Sequence, residues 1–191
     1  PYHYRDERTE GMLEEAFQRV PREEIFEQTG IQFMQLNSLY QLLSMVIGRS
    51  PALEIAGTFL TMPDLFNYWL TGRQVSEFSI ATTTQCYDPH AEGWATSLLD
   101  RLGIPVHIFP DIVPPGTILG SVLPSVAQDL ALGSAEDLSV IAPACHDTGS
   151  AVAAVPAEGS EFAYISSGTW SLVGTELVEP AINATSLTYG F

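Results

Sequence analysis

An α/β fold is what this sequence predicts, and three observations carry the prediction. Apolar residues at helical spacing crowd the first half of the chain, which argues against an all-β fold. After a turn-rich stretch near Gly133 to Ser139, strand, helix and hairpin patterns alternate. At the centre of that second region, the apolar run Leu138 to Ala142 leads through a polar turn into the small-residue run Ser150 to Val155. A strand, a turn and a helix start place Asp147 outside the carboxyl end of a strand, where α/β proteins carry their chemistry.

The elements follow in chain order. Thr9 to Val20 sets Met12, Leu13, Ala16, Phe17 and Val20 on one helical face, with Glu10, Glu14 and Glu15 toward the other. Pro21 to Gln28 predicts a second short helix, with proline at its start and Gly30 past its end. Ile31 to Asn37 connects to a third helix that Ser38 is placed to cap and that carries Leu39, Leu42, Leu43, Val46 and Ile47. The apolar run Thr58 to Met62 enters a helix with Pro63 early and Gly72 at the C′ position. Glu77 to Gln85 stays open: its β-branched residues favour a strand, its small ones a tightly packed helix. Trp94 to Leu102 predicts a helix ended by Gly103, and Ile108 to Pro115 an extended, proline-broken run. Gly116 to Leu123 predicts a strand, Pro124 to Leu132 a helix, Gly133 to Asp137 a turn and Ser139 to Ala142 a buried strand. Beyond a turn at Glu158-Gly159-Ser160, Phe162 to Ser166 and Trp170 to Val173 pair around Ser167-Gly168-Thr169. Leu187 to Phe191 reads as strand-like. Phe66, Tyr68, Trp69 and Trp94 are expected in the core, and Glu14, Glu15, Glu23, Glu24 and Glu27 on a solvated helix face.

Composition excludes several function classes. With 46% hydrophobic and 16% charged residues, the chain can bury a substantial core and is not disordered. Its formal net charge is -16, all seven basic residues are arginines, and no lysine is present. That removes a P-loop lysine, a Schiff-base lysine and a lysine general base. After Arg101 there is no Lys or Arg at all. A nucleic-acid partner needs a basic face and is excluded, and an anionic membrane surface is disfavoured for the same reason. A phosphate bound in this half must rely on backbone N–H groups, hydroxyls or a metal ion. Cys86 and Cys145 lie far apart, which fits a reducing, cytoplasmic compartment better than a disulfide framework. No apolar run approaches the roughly 18 residues of a membrane span, and the first residues, Pro1 to Asp6, do not resemble a signal peptide. The missing initiator Met and the strand-like end lead to the expectation that this chain is part of a longer protein.

Two turns can carry chemistry. His146-Asp147-Thr148 can be a helix cap made by Asp147 or Thr148. It can also hold an ionised Asp at a helix start, ready to accept a substrate hydroxyl proton during phosphoryl transfer. Ser166-Ser167-Gly168-Thr169-Trp170 is either an ordinary hairpin turn or a cation-free phosphate cradle of N–H groups and hydroxyls. Neither G-x-S-x-G nor G-x-G-x-x-G occurs, so the usual hydrolase and dinucleotide signatures are missing. Cys145, His146 and Asp147 are consecutive and point apart on an extended chain, so they do not form a three-ligand metal site alone.

An ordered set of motifs adds to these readings. It runs through Tyr4-Arg5-Asp6-Glu7-Arg8-Thr9, Gly30-Ile31-Gln32-Phe33, Asn37-Ser38-Leu39-Tyr40-Gln41-Leu42 and Met62-Pro63-Asp64 to Leu70-Thr71-Gly72. It continues through Ala81-Thr82-Thr83-Thr84-Gln85, His146-Asp147-Thr148 with Ser150-Ala151-Val152, and Ser166-Ser167-Gly168-Thr169-Trp170-Ser171-Leu172. In this set the chain resembles the FGGY carbohydrate kinases, nearest their rhamnulokinase branch. The resemblance implies an actin-like ATPase, ribonuclease-H-like fold of two lobes. Residues 1–138 would end the sugar-binding lobe and residues 139–191 would begin the nucleotide-binding lobe. It implies ATP- and Mg²⁺-dependent phosphorylation of L-rhamnulose at its primary hydroxyl, with small-molecule sugar and ATP as the partners. By the same resemblance Asp147 is the proton acceptor, His146 and Thr148 are sugar-binding neighbours, and Gly168 and Thr169 contact nucleotide. Arg5, Asp6 and Arg8 fall near the sugar pocket. The family's opening metal- and phosphate-holding hairpin, its upstream sugar-contacting glycine and its adenine-binding part have no counterpart in this sequence. The chain is therefore expected to be the middle of a kinase, with little or no turnover of its own. The competing readings are a xylulose, fuculose or glycerol kinase, a non-catalytic actin-like sugar-responsive protein, and a plain carbohydrate-binding module.

Overall fold

The computed structural model describes residues 3, 6–135, 138–159 and 161–191. Pro1, Tyr2, Tyr4, Arg5, Glu136, Asp137 and Ser160, which enter the sequence expectations above, lie outside the described residues.

Helices build the first part of the chain. After a 3-10 turn at Glu7–Thr9 come α1 (Met12–Arg19), α2 (Arg22–Thr29), α3 (Ser38–Ile47) and α4 (Pro51–Glu54). Gly30 ends α2 in the left-handed region at φ 62°, and Ile182 packs so closely on it that an added Cβ would lie 2.6 Å from Cδ1. Only glycine serves there, for both the backbone angle and the space. Asn37, not Ser38, is the N-cap residue of α3, and its side chain is used elsewhere, donating to the Gln32 carbonyl and to Gln85 Oε1. The predicted α1 face is correct: Ala16 and Val20 are buried, and Met12, Leu13 and Phe17 pack onto the same cluster. Leu39, Tyr40 and Leu43 of α3 join Leu98, Leu99 and Leu102 of α7 (Thr96–Leu102) in that core. Leu99→Ala is expected to cost about 2–5 kcal/mol of unfolding free energy, because the site is fully enclosed and cannot collapse onto the lost volume. Urea unfolding of the chain measures it.

The strands are short. β1 (Ser76–Glu77) pairs in parallel with β4 (Ile112–Val113), and β2 (Tyr87–Asp88) pairs antiparallel with β3 (Gly93–Trp94). β5 (Thr117–Ser121) and β6 (Ser139–Ala142) form an antiparallel ladder with a bulge between Ile118 and Gly120. Val75, Leu119 and Ala142 form a second, smaller apolar cluster that joins these strands. α5 (Met62–Thr71), ended by left-handed Gly72, packs on β5 and β6. α8 (Pro124–Asp129) connects them. α9 (Asp147–Ala153) follows β6, and β7 (Ala163–Ser167) and β8 (Ser171–Thr175) form a regular hairpin against which α9 rests.

The structure settles one open reading and corrects four expectations. The open segment Glu77 to Gln85 is mainly helix, α6 (Phe78–Thr83). Its β-branched residues are accommodated because Glu77 caps the N-terminus and Thr82, Thr83 and Thr84 bond their hydroxyls back to carbonyls three residues earlier. Leu187 to Phe191 is not strand-like: α10 (Ala184–Tyr189) covers it, capped by Asn183 at Thr185 and Ser186 and ended by left-handed Gly190. Trp94 is not helical but pairs with Tyr87, so α7 starts at Thr96. β6 is buried only at Ala142, because Ile141 and its partner Ile118 turn to a face that no described element covers. Phe66 and Trp69 are not core residues; they are about half exposed and stack edge-on against each other at 5.3 Å between centroids.

Candidate active site

The strand–turn–helix forms as the sequence predicts. β6 ends at Ala142, four residues follow, and Asp147 is the first residue of α9. Neither Asp147 nor Thr148 is the cap. The N-cap position belongs to His146, in extended backbone and without a side-chain capping bond. Asp147 Oδ1 accepts the Thr148 N–H at 2.7 Å, and His146 Nε2 lies 3.7 Å from the same oxygen. Oδ2 accepts no hydrogen bond among the described residues, and the Asp147 side chain is 98% exposed. A carboxylate in this setting carries no structural duty beyond its own turn.

The two turns singled out from sequence meet. One cavity of about 360 Å³ is lined by His146, Asp147 and Thr148 on one side and by Ser166, Gly168 and Thr169 on the other, with Trp170 beside them. The hairpin loop is tight: Gly168 N–H donates to the Trp170 carbonyl at 2.8 Å, and Ser167 pairs with Ser171. A Cβ on Gly168 would meet nothing within 4 Å, so this glycine leaves the cavity open rather than filling a packing gap. The donors on the hairpin side are neutral, namely hydroxyls and peptide groups, as a phosphate site without cations requires.

Asp6 and Arg8 sit elsewhere. Asp6 caps the 3-10 turn through the Arg8 N–H and pairs with Arg8 Nε at 3.2 Å, while Arg8 donates to Gln41 Oε1 at 2.9 Å. Arg8 lines a separate cavity of about 300 Å³ with Gln41, Met45 and Phe59. A larger space of about 920 Å³, between the end of α2 and residues 175–182, contains none of the predicted site residues. Chemistry, not size, selects the smaller cavity as the candidate site.

Sequence reasoning missed the layer beneath the Asp147 turn. Glu77 and Asp64 are fully buried. Asp64 accepts from the Thr61 and Ser76 hydroxyls and the Glu77 N–H, and Glu77 accepts from Ser79 and from the N–H of Cys145. Burial, with Glu77 and Asp64 nearby, pushes the Cys145 thiol up to about 11, so this cysteine stays a neutral thiol near pH 7 and is a poor nucleophile. A residue contact spanning 68 positions leaves no local mark in the sequence.

Residues 3–153 match the FGGY family of carbohydrate kinases, N-terminal domain. The chain belongs to the FGGY family of carbohydrate kinases. Among relatives of this FGGY chain, the rhamnulokinase of Oceanobacillus iheyensis is 42% identical over 98% of the chain and 39% of the relative. The rhamnulokinase of Bacteroides thetaiotaomicron is 44% identical over 100% of the chain and 39% of the relative. The chain thus spans about two-fifths of the length of the curated relatives it matches. Among solved structures, the ligand-bound xylulose kinase from Lactobacillus acidophilus superposes on 96% of the chain and 37% of its own, with a TM-score of 0.80 and 20% identity. A carbohydrate kinase from Novosphingobium aromaticivorans matches 92% of the chain and 37% of its own at a TM-score of 0.71 and 26% identity. The expected actin-like α/β fold is therefore the fold of this chain.

Proposed function

We propose that the protein carrying this FGGY chain is an ATP-dependent ketose kinase that phosphorylates the primary hydroxyl of L-rhamnulose, with Asp147 as general base. The observation that supports this reading most is the single cavity that both turns line. Relatives at about two-fifths identity over nearly the whole chain, both rhamnulokinases, favour the sugar.

ATP would supply the transferable γ-phosphoryl. The hairpin fits a phosphate through its chemistry: Ser166 and Thr169 offer hydroxyls, and the bare Cα of Gly168 leaves room for close approach. Mg²⁺ commonly binds through one or two carboxylates together with substrate phosphates. No group of three candidate metal ligands occurs among the described residues, so no step is assigned to an ion held by this chain. Thr148 N–H fixes Asp147 Oδ1 and leaves Oδ2 to take the proton of the sugar hydroxyl. That proton leaves as the hydroxyl oxygen bonds to phosphorus and the bond to the departing ADP breaks. His146 and Thr148 flank the carboxylate and would orient the sugar; Thr169 and Gly168 would hold the nucleotide phosphates. Arg8 lines a space apart from this cavity, so neither it nor Asp6 is given a part in the step. In this reading residues 1–138 close the sugar lobe and 139–191 open the nucleotide lobe. A cytoplasmic location is part of the same reading: Cys86 and Cys145 are free thiols, and no helix among the described residues is long and apolar enough to cross a membrane.

ADP release by the full-length protein against a panel of L-rhamnulose, D-xylulose, L-fuculose and glycerol tests the assignment. L-Rhamnulose is expected to give the highest kcat/KM. A higher value for any other member of the panel would reassign the substrate.

A further inference from the structure

We propose that Glu77 is a positioning residue for Asp147, a buried clamp that sets where α9 begins. The proposal rests on the reading of Asp147 as the base. Two consecutive backbone N–H groups just ahead of Asp147 end on this one carboxylate. Cys145 N–H donates directly to Glu77 Oε2 at 2.9 Å. His146 N–H donates to Ser79 Oγ at 3.1 Å, and Ser79 Oγ–H donates in turn to Glu77 Oε2 at 2.5 Å. Glu77 is itself held in place. It is fully buried, its own N–H is bound by Asp64 Oδ1 at 3.0 Å, and β1 pairs it with Val113 of β4.

Capping α6 does not account for this arrangement. A cap needs an acceptor for the N–H groups of Ser79 and Ile80, which Glu77 supplies at 2.8 and 3.3 Å. A short side chain at the surface does that job. A fully buried carboxylate with no ion pair among the described residues is costly unless its oxygens are saturated with donors. The bonds from the Asp147 turn complete that saturation, and charge-assisted N–H···O⁻ bonds are roughly twice as strong as neutral ones.

The helix that follows adds little to hold the turn. α9 has no buried residue, and its N-cap makes no side-chain capping bond. Beyond the bonds to Glu77 and Ser79, residues 144–146 are held by Ser150 Oγ donating to the Ala144 carbonyl at 2.7 Å, by the first helical bond from Ser150 N–H to the His146 carbonyl at 3.1 Å, and by a Cys145 side-chain bond to Asn67. Glu77 thus links the β1–α6 corner of the fold to the start of the catalytic helix. A misplacement of about 1 Å at a reacting group can cost on the order of 10²-fold in rate.

Glu77→Asp separates clamp from cap. The shorter carboxylate still caps α6 but withdraws from the Cys145 N–H. In the full-length protein it is expected to lower the melting temperature modestly, since a buried carboxylate and the Cys145 N–H lose a partner, and to keep both KM values within about threefold, while kcat per folded molecule falls about tenfold or more. Amide hydrogen exchange across residues 144–149 should speed up. Ser79→Ala should give a smaller kcat loss with faster exchange at His146, and Ser79→Thr, which keeps the hydroxyl, should restore both. Unchanged kcat and unchanged exchange in Glu77→Asp and Ser79→Ala would overturn the proposal. So would a fall in stability alone, with kcat per folded molecule preserved. Asp147→Asn is run alongside. If it keeps parental turnover, the base assignment fails, and exchange at residues 144–149 then decides by itself whether Glu77 holds the turn.

Discussion

Asp147→Asn in the full-length protein is expected to lower kcat by about 10²-fold or more, with KM for the sugar within about threefold of the parent. The substitution is close to isosteric, and asparagine can still accept the Thr148 N–H through Oδ1, so the turn survives. It cannot take a proton. The fold should barely respond, because the side chain is almost wholly exposed and packs against nothing. Losing an acid from the first turn of α9 costs at most about 0.3–1 kcal/mol of helix-dipole interaction, less with salt. Rate and stability are therefore expected to separate: a large kcat loss in a coupled ADP-release assay, with an unfolding midpoint near the parent's. A kcat within threefold of the parent would remove Asp147 from the base role. The contrast with Glu77→Asp is informative, since both variants attack kcat but only the buried one should loosen the backbone before α9.

The parts of this fold that were legible in the sequence are those whose cause is local. α1 announces itself by apolar spacing, α2 and α5 by proline at the start and a left-handed glycine at the end, and the β7–β8 hairpin by Ser-Gly-Thr between apolar runs. Both turns of the candidate site were legible for the same reason, and the structure brings them to one cavity. The elements left open or misread depend on side-chain bonds that composition does not reveal. α6 is helical despite its threonines because each hydroxyl finds a carbonyl one turn back, and Glu77 supplies the cap. α10 was hidden by the β-branched and aromatic look of its last residues, although Asn183 and Gly190 were there as cap and stop. The exposure of Phe66, Trp69 and Ile141 depends on what lies opposite them, which is a tertiary matter. The Glu77–Cys145 link joins two segments far apart in the chain, and neither segment alone signals it.

The 191-residue chain by itself is expected to show no sugar-dependent ATP turnover above background, measured by the same coupled assay at high enzyme concentration. Phosphoryl transfer is accelerated mainly by positioning and by fixed charges acting where water is excluded. The cavity here meets the first need in part and the second hardly at all. Its carboxylate is open to solvent, Trp170 is about half exposed, and the paired Ile165 and Val173 of the hairpin face outward at 69% and 58% exposure. No Lys or Arg follows Arg101 to meet charge building on the phosphoryl oxygens. Two unit charges 4 Å apart attract by about 1 kcal/mol in bulk water and about 4 kcal/mol at an effective dielectric of 20, so an open site forfeits most of the available stabilisation. Neutral hydroxyls and peptide N–H groups can orient a phosphate there, but in water they compete with solvent for the same oxygens. Turnover by the chain alone comparable to that of the full-length protein would mean that the 360 Å³ cavity is a complete catalytic site, and that Asp147 works as a base without a closed surrounding. Background turnover by the chain, alongside robust turnover by the full-length protein that Asp147→Asn abolishes, would place the base in this segment and the charge stabilisation outside it.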